Sequence, residues 1–452
     1  MKKLLFTLCL VLVASTPLFA QKSKSKPKPN SMIQGLVRNV SPAKIEEYSR
    51  KLVSFGTRNT LSTQTDPNRG IGAAANWIFD EFSKISAECD GCLKVEKQTF
   101  LQEKSRRIPE PTNLTNVVAT LRGTTDPDRV YVVSGHYDSM CTSPMDAECD
   151  APGANDDGSG TAAVIEMARV MSKQKFEATI ILMTVAGEEQ GLLGATYFAE
   201  ESLKAKVNID AMFTNDIIGG VKTMKNKPDR QSVRVFAEGV PSNETPQQAA
   251  LRKSIGGEND SVSRQLGRYI YETARIYSPK FSVQLVFRRD RYLRGGDHIP
   301  FLERGFPAVR FTEPHEDYEH QHQNVRTENG VFYGDTIDYL DFGYIANVAR
   351  INVASLASMA VAPARPKAVA YDLSRLTNDT DLKWEANTEA DLAGYEIVWR
   401  RTTEPHWTDS KFVGNVTKYT MTAMSKDNYF FGVRSVDKDG NKSVVVYPYP
   451  SR

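Results

Sequence analysis

Apolar runs that stop abruptly at polar clusters constrain this chain more than any other feature. Residues 116–121 (NVVATL), 130–133 (VYVV) and 179–185 (TIILMTV) are near-continuous aliphatic stretches. Strands covered on both faces read this way, whereas a sheet with one wet face shows strict alternation. Helical patterns separate or follow the runs at 161–172, 192–202 and 263–277, and a long one covers 344–361. The rhythm predicts an α/β fold: a mixed, largely parallel sheet sandwiched by helices. Ligands in such sheets collect beyond the carboxyl ends of the strands. Upstream, Ser41-Pro42 reads as a helix start with Ile45, Tyr48 and Leu52 as its buried stripe, and 71–85 as a second helix facing inward through Ile71, Ala74, Ile78 and Phe82.

The ends of the chain differ from this middle. Lys2 and Lys3 precede an apolar stretch at 4–14, and Leu18-Phe19-Ala20 offers a small residue for cleavage, so 1–20 reads as a secretory signal peptide. An uncleaved anchor is the competing reading; no other stretch is long and apolar enough to cross a membrane. Residues 21–30 (QKSKSKPKPN) can bury almost nothing and are expected to form a disordered linker. The expected location is therefore secreted or periplasmic, with no integral membrane segment after cleavage. Once Cys9 leaves with the leader, Cys89, Cys92, Cys141 and Cys149 remain, and two local bridges, 89–92 and 141–149, are the simplest of three pairings. A zinc knuckle is the alternative, disfavoured by the wider second spacing.

A length of 452 residues suggests two domains. A Pro-rich linker at 362–366 (APARP) follows the long helix and separates 31–362 from 367–452. In the later segment, strand-like runs recur at 382–384, 395–399, 419–421, 429–433 and 443–446, the rhythm of a small all-β sandwich. With Trp384, Tyr395-Glu396-Ile397 and Tyr429-Phe430-Phe431-Gly432-Val433 it resembles a fibronectin type III domain, and carries no chemistry of its own. A formal net charge of +2 without a basic block excludes a nucleic-acid partner of the usual kind.

The chemistry lies in five clusters. Ser134-Gly135-His136-Tyr137-Asp138 ends one apolar run, and alternation along an extended chain turns His136 and Asp138 to the same side, as a metal ligand and its supporting carboxylate require. Gly153 to Gly160 (GANDDGSG) carries Asp156 and Asp157 into a helix. Gly187-Glu188-Glu189-Gln190-Gly191 follows TIILMTVA, where paired glutamates are costly unless a cation or proton compensates. Asn215-Asp216 and the histidine-bearing stretch 315–324 (HEDYEHQHQN) complete the set, the latter holding three of six histidines. Helix caps, a solvated helix start and a polar loop are the plainer readings of each cluster alone. Together they supply imidazole and carboxylate ligands suited to zinc, or less well manganese or cobalt.

Taken in order, SGHYDS, PGANDDGSG, GEEQGLLGA, NDIIG and GGDHIPFLERGFPA, with the late histidine, resemble the zinc exopeptidases that include bacterial leucine aminopeptidase and vacuolar aminopeptidase, with glutamate carboxypeptidase and glutaminyl cyclase as relatives. The resemblance covers about 45–360. It implies two zinc ions per chain: His136 and Asp216 on one, Glu189 and His320 on the other, Asp156 bridging. His320 is preferred to His322 as the last ligand, although neither is followed by the acid that relatives carry. The resemblance also implies a cis bond after Asp156, Glu188 as general base, Asp138 as a supporting catalytic residue and Tyr292 as the nearest candidate to stabilise an oxyanion. The expected activity is removal of residues from the amino end of a peptide or protein substrate. Carboxyl-end cleavage, favoured by Arg288, Arg289, Arg291 and Arg294, glutaminyl cyclisation, and a degenerate binding scaffold are the rival readings; oligomeric state is not legible.

Overall fold

A computed structural model describes residues 29–221 and 228–451. The signal-peptide reading and most of the linker reading fall outside the described residues. Asn30 does not: its side chain caps α1 (Ser31–Asn39), and its backbone N–H donates to the Tyr277 hydroxyl at 3.0 Å. The linker expectation therefore fails at its last residue, where a cap and a tertiary hydrogen bond fix the backbone. Helices α2 (Pro42–Val53) and α3 (Gly70–Ala87) follow; Ser41 caps α2 by accepting from the Lys44 N–H, and both expected apolar stripes are buried.

Eight strands form the main sheet: β1 (Leu93–Gln102), β2 (Thr112–Leu121), β3 (Asp126–His136), β4 (Ala178–Val185), β5 (Asn208–Asn215), β6 (Ser232–Phe236), β7 (Ser282–Val286) and β8 (Ala308–Thr312). Their order is β1-β2-β4-β3-β5-β8-β6-β7. Four of the seven pairings are parallel, and these include the unbroken central block β4-β3-β5-β8. The expected mixed, largely parallel sheet is present. Helices α4 (Gly158–Met171), α5 (Leu193–Lys204), α6 (Pro246–Ile255), α7 (Val262–Tyr277), α8 (Ile299–Glu303) and α9 (Phe342–Ala360) complete this unit.

Strand β3 shows why its run had to be apolar throughout. Tyr131 and Val133 enter the cluster under α1–α4, α7 and α9, whereas Val130 and Val132 enter the one under α5 and α8. Alternate side chains face opposite layers, and both layers are dry. Each fully buried aliphatic side chain contributes about 1.5–3 kcal/mol by area.

Beyond a two-stranded ribbon of β9 (Arg326–Glu328) and β10 (Val331–Tyr333), the chain builds two small sheets. These comprise β11 (Ala370–Asp372), β12 (Thr380–Lys383), β13 (Leu392–Arg401), β14 (Asp409–Gly414), β15 (Lys418–Met421), β16 (Tyr429–Asp437) and β17 (Tyr449–Ser451), ordered β15-β12-β11-β17 and β14-β13-β16. Leu382, Trp384, Tyr395, Ile397, Phe431 and Val433 share one apolar core between them. The strand expected at 443–446 is not regular: only isolated bridges form, Val446 exchanging backbone bonds with Val433 while Ser443 donates to the Ser435 carbonyl. Val444 instead packs into the core of the main unit, which draws the segment out of the ladder.

Candidate metal centre

The register of the parallel block lines up three strand exits. His136 pairs with Val185, and Ser134 with Thr214, so the exits of β4, β3 and β5 lie side by side. Glu188 and Glu189 leave β4 after a turn at Gly187, whose φ is +76°. Asp216 leaves β5, and Asp156 and Asp157 lead into α4 beside them. Close backbone approach makes this possible: a Cβ on Gly160 would sit 2.1 Å from the Asn215 carbonyl oxygen, and one on Gly135 would sit 2.6 Å from the Gly160 carbonyl carbon. Only glycine lets α4 start against the ends of both strands.

Two donor groups result. His136, Glu188 and Asp216 offer ligand atoms within 4.8 Å of one another, and so do Asp156, Glu189 and His322. Asp156 joins them: its Oδ1 lies 3.1 Å from His136 Nε2 and its Oδ2 lies 2.8 Å from His322 Nε2. His322 Nε2 is also 3.0 Å from Glu189 Oε1. The Asp156–Asp157 peptide is cis, as the resemblance implied.

A shell of fixed partners orients these groups. Asp138 accepts from the backbone N–H groups of Glu188 at 3.2 Å and Glu189 at 3.1 Å, and from Thr60 Oγ1 at 3.1 Å. Its carboxylate also stands 3.5 Å from His136 Nδ1, so one residue steadies both strand exits. Asp157 accepts from the backbone N–H groups of His136 and Gly160. Asp335 accepts from the N–H groups of Asn155 and Asp156, Gln321 donates to Asp156 Oδ2 at 2.8 Å, and Arg310 pairs with Asp216 at 2.7 Å. Arg58 ties the same loop from below through the carbonyls of Tyr137, Pro152 and Gly153.

The electrostatics are unbalanced. Burial, reinforced by Glu189, Asp216 and Asp297, pushes the Glu188 carboxyl well up despite the pull of His136. Burial also raises Glu189, against His322. Asp156 is the exception: burial disfavours its charge, yet His322 and His136 hold it well below the usual carboxylate range. Buried His136 Nε2, His322 Nε2 and Glu189 Oε1 meet only one another and Asp156, at 2.8–3.1 Å and without an aligned hydrogen bond. Buried polar atoms of native proteins rarely go without one. Imidazole nitrogens and carboxylate oxygens that converge on one another without aligned hydrogen bonds between them, in a crowd of like charges, fit divalent cations of the zinc type.

The structure brings together His136, Asp138, Asp156, Glu188, Glu189 and Asp216, but neither His320 nor Tyr292. His320 Nδ1 lies 2.9 Å from Asp317 Oδ2 and its ring sits on Tyr339, with centroids 3.5 Å apart. His322 takes the place expected of His320: on a left-handed backbone (φ +55°), its Nε2 reaches Asp156 and Glu189. Tyr292 is 76% exposed and lines a neighbouring cavity, not the one holding Glu188. Buried pairs of Arg291 with Asp290 and Glu316 anchor the residue before it and leave the tyrosine outside. Asp335 lies in no motif, and Gln321 stands within the stretch 315–324 without a role assigned to it there. Arg310 did carry a signal: a lone cation inside the apolar run 306–311 requires an acid partner. Both expected disulfides are present, Cys89–Cys92 and Cys141–Cys149.

A mixed sheet with carboxylates and imidazoles converging at the exits of its parallel strands defines a class of α/β proteins built to hold cations where a ligand can reach them. The comparisons narrow this. A model of Peptidase family M28 matches residues 116–330. A probable zinc metalloprotease of Leptosphaeria maculans is 47% identical over 425 residues, covering 94% of this chain and 98% of that protein. Another, of Pyricularia oryzae, is 47% identical over 428 residues, covering 93% of this chain and 85% of that one. Among solved structures, the LapA aminopeptidase of Legionella pneumophila aligns with a TM-score of 0.51 at 19% identity, over 75% of this chain and 78% of its own. A glutaminyl cyclase of Macrostomum lignano aligns at 0.52 and 15%, over 74% and 94%. At those identities the two structures speak for the fold. The chain belongs to peptidase family M28.

Proposed function

We propose that this chain is an exported aminopeptidase holding two zinc ions, with Asp156 shared between them. The observation that carries the reading is the position of the Asp156 carboxylate, one oxygen toward His136 and the other toward His322. His136 and Asp216 would hold one ion, Glu189 and His322 the other. Zinc, when bound, supplies Lewis acidity and a water acidified toward neutrality.

The chain's own residues do the rest. Glu188, partly buried at the cavity wall and held by the Asp138 bond to its backbone, takes the proton of the attacking water and returns it to the leaving nitrogen. Asp138 is a positioning residue, fixing the His136 ring and the turn that carries both glutamates. The carboxylates around a cavity of about 320 Å³ attract a protonated amino end and place the first peptide bond against Glu188. The paired disulfides fit an oxidising compartment and thus export. We assign 31–362 to the catalytic unit and 367–452 to a bracing unit of fibronectin type III kind.

A panel of aminoacyl chromogenic substrates tests this, with chelated and zinc-restored samples and peptides blocked at either end. Activity removed by chelation, restored by zinc and abolished by amino-end blocking is the expected result. Turnover that survives amino-end blocking but not carboxyl-end blocking would replace the reading with carboxyl-end cleavage.

A further inference from the structure

The loop 287–298 between β7 and α8 carries Arg288, Arg289, Arg291 and Arg294 and separates two adjoining cavities. One, of about 320 Å³, holds the acid-rich centre; the other, of about 490 Å³, lies on the far side. Leu192, Arg291, Arg294 and Gly295 line both, so a chain entering one passes along the other.

The second cavity is cationic beyond what its acids offset. Glu316 alone faces three guanidinium groups, those of Arg234, Arg291 and Arg294, at 3.1, 3.1 and 2.6 Å. Asp290 takes a further contact from Arg291, and Arg289 pairs with Glu303 at the surface. Arg288 is exposed and has no acid partner among the described residues; its guanidinium stands 5.7 Å from the Tyr292 ring. Apolar groups stand among these cations. Tyr292 and Leu293 are 76% and 90% exposed, and Leu192 lines the same cavity. Leu192 (φ +61°) and Leu293 (φ +57°) both hold left-handed backbone, which branched side chains avoid unless the site requires it.

We propose that this second cavity is the subsite for the part of the peptide beyond the scissile bond, and that it selects carboxylates there. The inference rests on the amino-end reading above. A protonated amino end is drawn to Asp156, Glu188, Glu189 and Asp216 and repelled by the arginines, so the chain leaves across the cationic side. Guanidinium groups pair with carboxylates, while the leucines and the tyrosine cover backbone. An acidic side chain and the free carboxylate of a short peptide present the same chemistry.

The test uses the full zinc-loaded enzyme and leucine release from Leu-Glu-Glu amide, Leu-Gln-Gln amide, Leu-Lys-Lys amide and Leu-Gln-Gln with its carboxylate free. Expected is a kcat/KM for the glutamate peptide about tenfold or more above the lysine peptide, narrowing as salt rises. Arg288→Glu reverses that order, while Lys418→Glu, in the C-terminal sheets, leaves it intact. A gain from the free carboxylate assigns the cavity to chain ends, and a gain from glutamates assigns it to side chains. Equal rates for glutamate and lysine peptides, or an order that Arg288→Glu leaves unchanged, overturn the proposal. If no peptide is cleaved, the peptidase reading fails by itself. Fluorescence anisotropy of labelled N-acetyl peptides of the glutamate and lysine sequences then decides the subsite: tighter binding of glutamate that depends on Arg288 upholds it, and equal binding overturns it.

Discussion

At the seam between the sheet unit and the C-terminal strands, Asp260 is fully buried and saturated: Arg268 and Gln265 donate to one oxygen, Arg400 to the other, at 2.7–2.9 Å. At the strand exits Asp156, Glu189 and His136 are nearly as buried and His322 is half-buried, yet His136 Nε2, His322 Nε2 and Glu189 Oε1 meet only one another and Asp156, without an aligned hydrogen bond. Both regions carry charge into the interior, where desolvation penalises it. The seam offsets that penalty with groups of its own chain. The centre does not, and its surplus carboxylates crowd one another. A buried charge that the chain itself satisfies is a structural device, and one that it leaves facing like charges is built for something that arrives from outside.

Substitution at the two places separates these roles. Glu188→Gln keeps the size of the side chain and removes the base, so kcat falls by about 10²–10⁴ or more while metal content, read by elemental analysis, stays unchanged. An active Glu188→Gln enzyme, with contamination excluded, removes Glu188 from the mechanism. Asp260→Ala has the opposite profile. It leaves Arg268 and Arg400 buried without their acid and costs about 3–5 kcal/mol in urea unfolding, with zinc content per folded molecule unaltered. If Asp260→Ala lowered metal binding as well, the seam and the centre would not be separate devices.

The fold was legible because burial on both faces leaves a clear text: the central stretches of β3 and β4 are near-continuous apolar runs, readable at 130–133 and 179–185. The first ligands were legible for a related reason, since polar residues directly after such runs must sit at strand exits. What depended on loop backbone was not. The choice between His320 and His322 rests on one left-handed residue, which no spacing records. Tyr292 failed similarly, because the inward anchoring of Arg291 depends on Glu316, a residue distant in sequence. Asp335 is held to the centre only by backbone N–H groups that sequence does not mark. Irregular pairing at 443–446 escaped because Val444 packs against the other unit, a tertiary pull on a locally strand-like run.

The two histidines give the next contrast. His322→Ala removes an imidazole from the Asp156–Glu189 group and lowers zinc affinity by more than about 100-fold. His320→Ala, acting from the Asp317 and Tyr339 side, stays within about tenfold. Equilibrium dialysis against a buffered zinc series reads both. Equal losses would show that the Asp317–His320–Tyr339 stack supports the ligand loop as strongly as the ligand itself.

The seam also contains a set of charges that belongs to neither type. Glu177, just before β4, is only partly buried, and burial together with Asp391 and Asp437 pushes its carboxyl up to about 7, against the pull of Arg129. An unfolded glutamate titrates near about 4.3. The folded value is raised, so the sign is set: at pH 5 the folded protein holds a proton the unfolded chain has largely lost, and that stabilisation fades as pH rises through about 7. Above it the ionised carboxylate faces two acids across the seam. Glu177→Gln removes the repulsion, and because solvent screens a partly exposed group the gain at pH 8 is about 1 kcal/mol, shrinking toward zero at pH 5. Urea midpoints at the two pH values measure it. A gain of equal size at both would mean that the side chain acts through packing and not through its charge.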